Sequence, residues 1–294
     1  MDITSLETLV AVIEEKSFSR GADRVHLVAS AVSKRIACLE RESGVTLVQR
    51  NRRGVEPTPA GIVLYQQAKS IVLNLRRTKE TLATFSSNGL PKIRLAANSS
   101  AILQFLSQDI SSFSSVAPHT RIDLIEAFSF DIPRLVASGE SDIGICHSSR
   151  PPPGVTSKLY RSDTLVLVVP HGHPLEVKRQ LKLEAALDFD FLGYFPRRSI
   201  EAFMELAGTT LSRPPEVKIQ VSNYEARCQL VSQGLGIAII PSTIAQRYAS
   251  HLGLSLLPLI DDWASRQLYT CVPEHITLSP DVRQLFDHLT ANNP

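Results

Sequence analysis

Eight lysines and arginines fall between residues 17 and 53: Arg20, Arg24, Lys34, Arg35, Arg41, Arg50, Arg52 and Arg53. Three acids, Asp23, Glu40 and Glu42, oppose them, so the segment carries +5 in a chain of 294 residues whose total is +2. Cations at this density suit the phosphates of a nucleic-acid backbone. Arg50, Arg52 and Arg53 would meet those phosphates without reading sequence. Base edges need closer groups, and Ser30, Ser33 and Lys34 are the candidates, with Arg35 on their flank. A solvated charge run is the plain alternative.

A second group lies further along. Asn98, Ser99 and Ser100 follow a strand-like run and open a helical one. Small polar residues at a helix start bind an anion through hydroxyls and backbone N–H groups, or simply cap the helix. Ser129, His147, Phe195 and Asn223 each follow strand-like runs, and Phe128, Tyr194 and Phe195 offer an apolar wall or ordinary core. His147 either pairs an acidic ligand or is an exposed loop histidine. Residues 91–294 hold 18 Lys/Arg and 20 Asp/Glu, so local donors, not a general positive field, would have to select an anion.

Other chemistry is missing. No GxSxG, HExxH, P-loop or GxGxxG motif is present, which speaks against a hydrolase, a metalloprotease and a nucleotide site. Cys38, Cys146, Cys228 and Cys271 are too far apart for a CxxC motif, so no metal is expected, and a redox pair requires the fold to bring two together. His171-Gly-His173-Pro reads as a turn. We expect no cofactor.

The elements that position these groups follow from periodicity. Leu6, Leu9, Val10 and Ile13 form one helical stripe. Ser17 or Ser19 caps a second helix with Ala22 and Val25 inward. A third carries Val32, Ile36 and Leu39 on one face and stops at Gly44. Ser30, Lys34, Ala37 and Arg41 lie opposite that stripe, with Ser33 and Arg35 on its flanks. Residues 45–58 read as a strand pair around Arg52-Arg53-Gly54, a wing. Two short helices and a wing in a basic segment would place the last helix in a DNA major groove.

From Pro59 to about Phe85 the pattern is one helix, roughly 40 Å long at 1.5 Å per residue. Tyr65, Ala68, Val72, Leu75 and Leu82 make a heptad seam, with Lys79 in the skipped slot. A partner chain would cover the seam; packing on the same chain is the alternative. Residues 86–91, SSNGLP, read as a linker. Beyond them, strand-like runs at 92–97, 121–127, 142–146, 164–169, 217–221 and 236–240 alternate with helical patterns, an α/β arrangement with mainly parallel strands expected. With 43% apolar and 20% charged residues and no long apolar run, no membrane partner is expected. The N-terminus lacks the marks of a signal peptide, and we read a cytoplasmic protein.

With these residues on the page, the chain resembles a LysR-type transcriptional regulator over essentially its whole length. The resemblance is carried by residues 6–26, 31–50 and 54–61, then by ESDIGI (140–145), LVLVVPHGHPL (165–175) and EARCQLVSQGLGIAIIP (225–241). It implies an all-α winged helix-turn-helix domain over 1–58 and a dimerising linker helix and hinge over 59–91. An α/β effector domain would occupy 92–294, of two lobes in the periplasmic-binding-protein type II manner. Crossings near Ser162 and Arg266 would divide it into 92–162 with 267–294, and 163–266. The implied partners are double-stranded DNA carrying an interrupted dyad, a small-molecule effector between the lobes, and further copies of the chain in a homodimer or homotetramer. The anion trio and its neighbours suggest a small organic anion as effector.

One departure stands out. The family usually has polar residues, often Ser-Gln-Pro, where this chain has Val28-Ala29-Ser30. Ala29 offers only a methyl contact where glutamine would read a base edge, and the hydroxyl cap is gone. A solute-binding protein and an enzyme on the α/β domain are the competing classes. The basic N-terminus speaks against the first and the lack of a reactive cluster against the second. If Arg52 and Arg53 touch phosphates, changing both to Ala weakens binding to all DNA sequences. The log–log salt slope should then fall by about 2; titrations at several salt concentrations measure it.

Overall fold

In a computed structural model, residues 1–51, 54–86, 92–147, 154–193, 211–274 and 277–291 are described, with the side chains of 77, 80, 81 and 83–86 excepted. The chain opens with three helices, α1 (Ile3–Glu15), α2 (Phe18–Arg24) and α3 (Ala29–Ser43). Asp2 caps α1 by accepting from Ser5 N at 2.9 Å, and Ser17 caps α2 by accepting from Arg20 N. At Val28 no side chain caps α3, as the missing hydroxyl implied, and Gly44 closes that helix in the left-handed region at φ 70°.

Leu9, Val12, Ile13, Ala22, Val32, Ile36, Leu39, Leu47, Val48 and Val55 form one core under these helices and the wing. Each fully buried aliphatic side chain contributes roughly 1.5–3 kcal/mol. Strands β1 (Val48–Asn51) and β2 (Gly54–Pro57) pair antiparallel. Val55 N donates to Lys16 O at 3.0 Å, tying the wing to the end of α1. Gly54 allows that approach: its φ is +122°, and a Cβ there would sit 2.5 Å from Lys16 O.

Helix α4 (Pro59–Ser86) is continuous. Gly61 lets its first turn lie on Leu47, whose carbonyl oxygen a Cβ would meet at 1.9 Å. The seam expected to face a partner divides. Ala68 is fully buried against Leu6 and Val10 of the same chain, with Leu64, Tyr65 and Val72 alongside. Ala68 is therefore corrected to an intrachain contact, while Tyr65 and Val72 are half-buried beside it. Periodicity identifies an apolar face but not what covers it. Further along, Leu75 is half-buried, and Ile71 and Leu82 are 45% and 62% exposed.

The α/β half contains β3 (Lys92–Ala97), β4 (Arg121–Glu126), β5 (Ile143–Cys146) and the long β6 (Val155–Pro170). After them come β7 (Phe191–Gly193), β8 (Val217–Gln220), β9 (Ala238–Pro241), β10 (Leu254–Pro258) and β11 (Ser265–Pro273). The order β10-β6-β11-β5-β3-β4, with β9 also on β6, makes one folded sheet. Up to Thr164, β6 pairs with β11; from Leu165 it pairs with β9 and β10. Two strands thus pass between the halves, side by side, with Asp163 opposite Arg266.

This topology corrects the expected parallel sheet. The pairs β3–β4, β3–β5 and β7–β8 are parallel, but β5–β11, β6–β11, β6–β9 and β6–β10 are antiparallel. A strand that leaves one lobe and another that returns must run in opposite directions. Separate cores lie on the two sides, one around Ile93, Leu95, Ile143 and Tyr160, another around Leu167, Phe191 and Trp263.

The divided seam separates two kinds of substitution. Ala68→Asp buries a charge without a partner and should cost at least about 2 kcal/mol, read as a lower melting temperature. Leu75→Asp should leave melting nearly unchanged and reduce the oligomer in sedimentation velocity. The opposite pattern would put the interchain contact at Ala68.

Candidate functional site

Two constellations emerge, one at each end of the chain. On α3 the outward face carries Ser30, Lys34, Ala37 and Arg41, all exposed, above the buried Val32, Ile36 and Leu39. Ser33 is half-buried on the flank. Arg35 lies on the flank, its side chain 36% exposed, with Nη1 3.4 Å from Asp2 Oδ1 and 3.5 Å from Ser5 Oγ. This contact holds the arm near the start of α1 while part of it stays exposed. Arg50 is exposed on β1 with its guanidinium 4.3 Å from the Phe18 ring centroid. A cation at this distance is attracted by the ring face, which restrains the arm. Arg52 and Arg53 lie outside the described residues.

The second constellation sits where the lobes meet. Asn98 caps the short α5 (Ser99–Ala101), accepting from Ala101 N at 2.7 Å, and its Nδ2 donates to Ser129 Oγ at 2.7 Å. A π-helical turn (Ile102–Leu106) follows and leads into α6 (Ser107–Val116). Beyond β4, α7 (Ile132–Ala137) returns the chain to β5. The π-helical turn supplies Gln104, a residue that no local pattern singles out. Ser100 Oγ donates to Asp163 Oδ2 at 3.0 Å; Gln104 Nε2 reaches the same oxygen at 2.9 Å and Ser100 Oγ at 2.8 Å. Arg266 grips Asp163 with both arms, Nε to Oδ1 at 2.9 Å and Nη2 to Oδ2. Burial pushes the Asp163 carboxyl up, but the Arg266 guanidinium overcomes this and holds it below its ordinary value.

The anion trio is thus placed as expected but already engaged. Asn98 caps, Ser99 Oγ donates to Glu126, and Ser100 holds Asp163. His147 joins them: its backbone N donates to Ser129 Oγ at 3.2 Å and its Nδ1 lies 3.1 Å from Gln267 O. A carbonyl can only accept, so Nδ1 carries the proton and Nε2 presents a lone pair. Nε2 is buried without a hydrogen-bond partner among the described residues. Burial, then the neighbouring Arg266 charge, lowers the His147 pKa to about 4, so the ring is neutral near pH 7. Phe128 is half-buried and stacks on Phe130, centroids 5.6 Å apart. Asn223 is exposed and caps α8 (Tyr224–Ser232), accepting from Ala226 N at 3.1 Å. Tyr194 and Phe195 lie outside the described residues. Asp163 and Gln104 were missed because nothing in their local sequence marks them; Asp163 is 63 residues from Ser100.

The fold does bring two cysteines together. Cys146 and Cys271 are buried neighbours on β5 and β11, present as free thiols. The Cys271 hydrogen bond and burial push the Cys146 thiol far up, which leaves it protonated and shielded. His171 pairs with Glu176 at 3.1 Å, while the His173 ring lies 4.6 Å from that of Phe189.

A basic three-helix reader with a wing, followed by a two-lobed α/β domain with a polar cluster between its lobes, defines a ligand-responsive DNA-binding protein. Residues 3–62 match the bacterial regulatory helix-turn-helix protein, lysR family, and residues 89–294 match the LysR substrate binding domain. The chain belongs to the LysR family of HTH-type transcriptional regulators. It is 26% identical over 276 residues to BenM of Acinetobacter baylyi, covering 92% of this chain and 90% of that one. A full-length OxyR variant from Pseudomonas aeruginosa has the same fold, with TM-score 0.68 at 20% identity, covering 98% and 94% of the two chains. So does full-length CbnR solved with its target DNA, with TM-score 0.66 at 18% identity over the whole of both chains.

The His147 environment gives a pH dependence. Between its folded pKa of about 4 and the ordinary 6.5, the unfolded chain binds a proton that the folded chain does not. Stability should therefore rise with pH across this window, by up to about 1.4 kcal/mol per unit, and the term is complete above pH 6.5. Equilibrium unfolding from pH 4.5 to 7 measures it. His147→Asn should flatten the slope; an unchanged slope would assign it to other groups.

Proposed function

We propose that α3 reads an interrupted dyad through Ser30, Ser33 and Lys34 with Arg35 on their flank, and that Arg50, Arg52 and Arg53 of the wing meet phosphates. The carrying observation is the division of α3 into a buried apolar face and an exposed face of Ser30, Lys34, Ala37 and Arg41. The chain acts in the cytoplasm as a homodimer or homotetramer and works by binding, with no catalytic step. The apolar residues left open on α4, Leu75 and Leu82 among them, support the dimer, and two readers on paired helices suit half-sites in adjacent major grooves.

The effector domain spans 92–294, divided at the crossing strands into 92–162 with 267–294 and 163–266. A small organic anion binds between these lobes, beside Asn98, Ser99, Ser100, Phe128, Ser129, His147, Phe195 and Asn223. Its support is the concentration of hydroxyl, amide and guanidinium donors around Ser100. A ligand there acts through different affinities for two arrangements of the oligomer, typically by ~1–3 kcal/mol. Among the described residues no helix is long and apolar enough to cross a membrane.

Selection from a randomised DNA pool tests the reader. Lys34→Ala should change the preferred base at one position in each half-site as well as weaken binding, by about 1–3 kcal/mol for a lost base contact. Equal weakening on every sequence would move Lys34 to the phosphates.

A further inference from the structure

We propose that Asp163 is a built-in carboxylate ligand of the inter-lobe site, which an acidic effector must displace to bind. This rests on the reading of the cleft as an effector site and specifies how that site selects its ligand.

The donors around Asp163 are those that recognise a free carboxylate. A guanidinium fork from Arg266, the Gln104 amide and the Ser100 hydroxyl converge on its two oxygens. Charge-assisted, bidentate contacts of this kind are strong and geometrically selective. The donors come from two separate parts of the chain, the first helical segment after β3 and the crossing strand β11, and meet Asp163 on the other crossing strand. The Asp163 side chain is 1% exposed and that of Arg266 19%. The carboxylate is enclosed while the Arg266 side chain keeps some contact with solvent.

A purely structural ion pair would be expected to close its surroundings. Among the described residues this one leaves two buried acceptors without a partner, His147 Nε2 and Gln104 Oε1. The Gln104 amide cannot be turned to cure this, because its nitrogen must face the Asp163 carboxylate. Buried polar atoms are normally satisfied, so two orphans beside one ion pair mark an unfilled polar site. Donors on an incoming acid, such as a hydroxyl beside its carboxylate, would satisfy them.

Displacement also supplies a reason for response. Asp163 lies on a strand shared by both lobes, so moving its side chain off Arg266 favours one lobe arrangement over another. A ligand shifts a conformational equilibrium only through such a difference. While Asp163 occupies the donors, the competent site is a minor fraction of molecules, and apparent affinity falls by that fraction.

The test uses the full chain and acetate as the probe. Asp163→Ala opens a gap of about carboxylate size on the same donors. Acetate should raise its melting temperature saturably, with a midpoint at least tenfold lower than in the unsubstituted protein. Acetamide, matched in shape but neutral, and chloride at equal ionic strength should not. Equal acetate midpoints in the two proteins, or acetamide matching acetate, would overturn the proposal. Should the Ala variant not fold, Asp163→Asn keeps the shape and is expected to bind acetate more tightly than the unsubstituted protein; an unchanged midpoint there overturns it equally. The two readings fail separately. If acids change DNA protection by the full chain but acetate ignores the variants, the displacement claim alone is lost. If acetate behaves as stated but no acid alters DNA protection, the site stands and the effector reading falls.

Discussion

The pairing of β6 with β11 at Asp163 and Arg266 is the constraint from which the effector half takes its form. Ser162, Asp163 and Thr164 lie opposite Gln267, Arg266 and Ser265, so the ladder is regular where the strands cross, and its register shifts further along, between Leu268 and Tyr269. The same register puts a carboxylate and a guanidinium side by side in a place where water is largely excluded. Desolvating such a pair costs several kcal/mol per ion and is offset only when further donors complete the geometry. Ser100 and Gln104 provide them, and the π-helical turn that carries Gln104 brings its amide to the Ser100 hydroxyl. The cluster therefore draws together the start of the first lobe, both crossing strands and, through Gln267 O and Ser129, the end of β5.

The reader at the other end is built on different terms. Its core is a few aliphatic side chains under three short helices, and its precision comes from ties between elements: Lys16 O to Val55 N, Arg35 to Asp2, Glu40 to the backbone of Leu47 and Val48. One residue joins the two ends. Lys69 on α4 lies 3.4 Å from Glu14 on α1 and 3.2 Å from Glu140, which follows α7 of the effector half. Glu14 in turn holds Arg24 at 2.7 Å and accepts from Tyr65 at 2.8 Å. Partly exposed pairs of this kind contribute about 1 kcal/mol or less each. A contact so weak is easily exchanged, which suits a link between a reader and a ligand domain.

Much of this was legible in the residues. The stripes of α1 and α3, the stop at Gly44, the Ser17 cap and the wing follow from local patterns that depend on few distant contacts. The six strand-like runs of the second half each overlap a strand. What escaped was non-local. β11, SRQLYTCVP, mixes polar and apolar residues because its flanks differ along its length, so it shows no clean alternation. β10 is five residues ending in proline. The apolar seam of α4 was visible, but its division between Leu6 and Val10 of the same chain and an open face was not. In the cleft, the Asn98–Ser100 trio was found by its position after a strand. Asp163 and Gln104 could not be, since they meet only through a contact 59 residues apart in sequence.

The central claim is that one face of α3, presented twice by an oligomer, reads DNA. Footprinting of the full chain on the DNA upstream of its own gene tests it most directly. The account predicts two protected half-sites related by a dyad, spaced by about one helical turn of 10–10.5 bp or a multiple of it. Protection should weaken steeply with salt. Protection of a single isolated site, or none that depends on sequence, would contradict it.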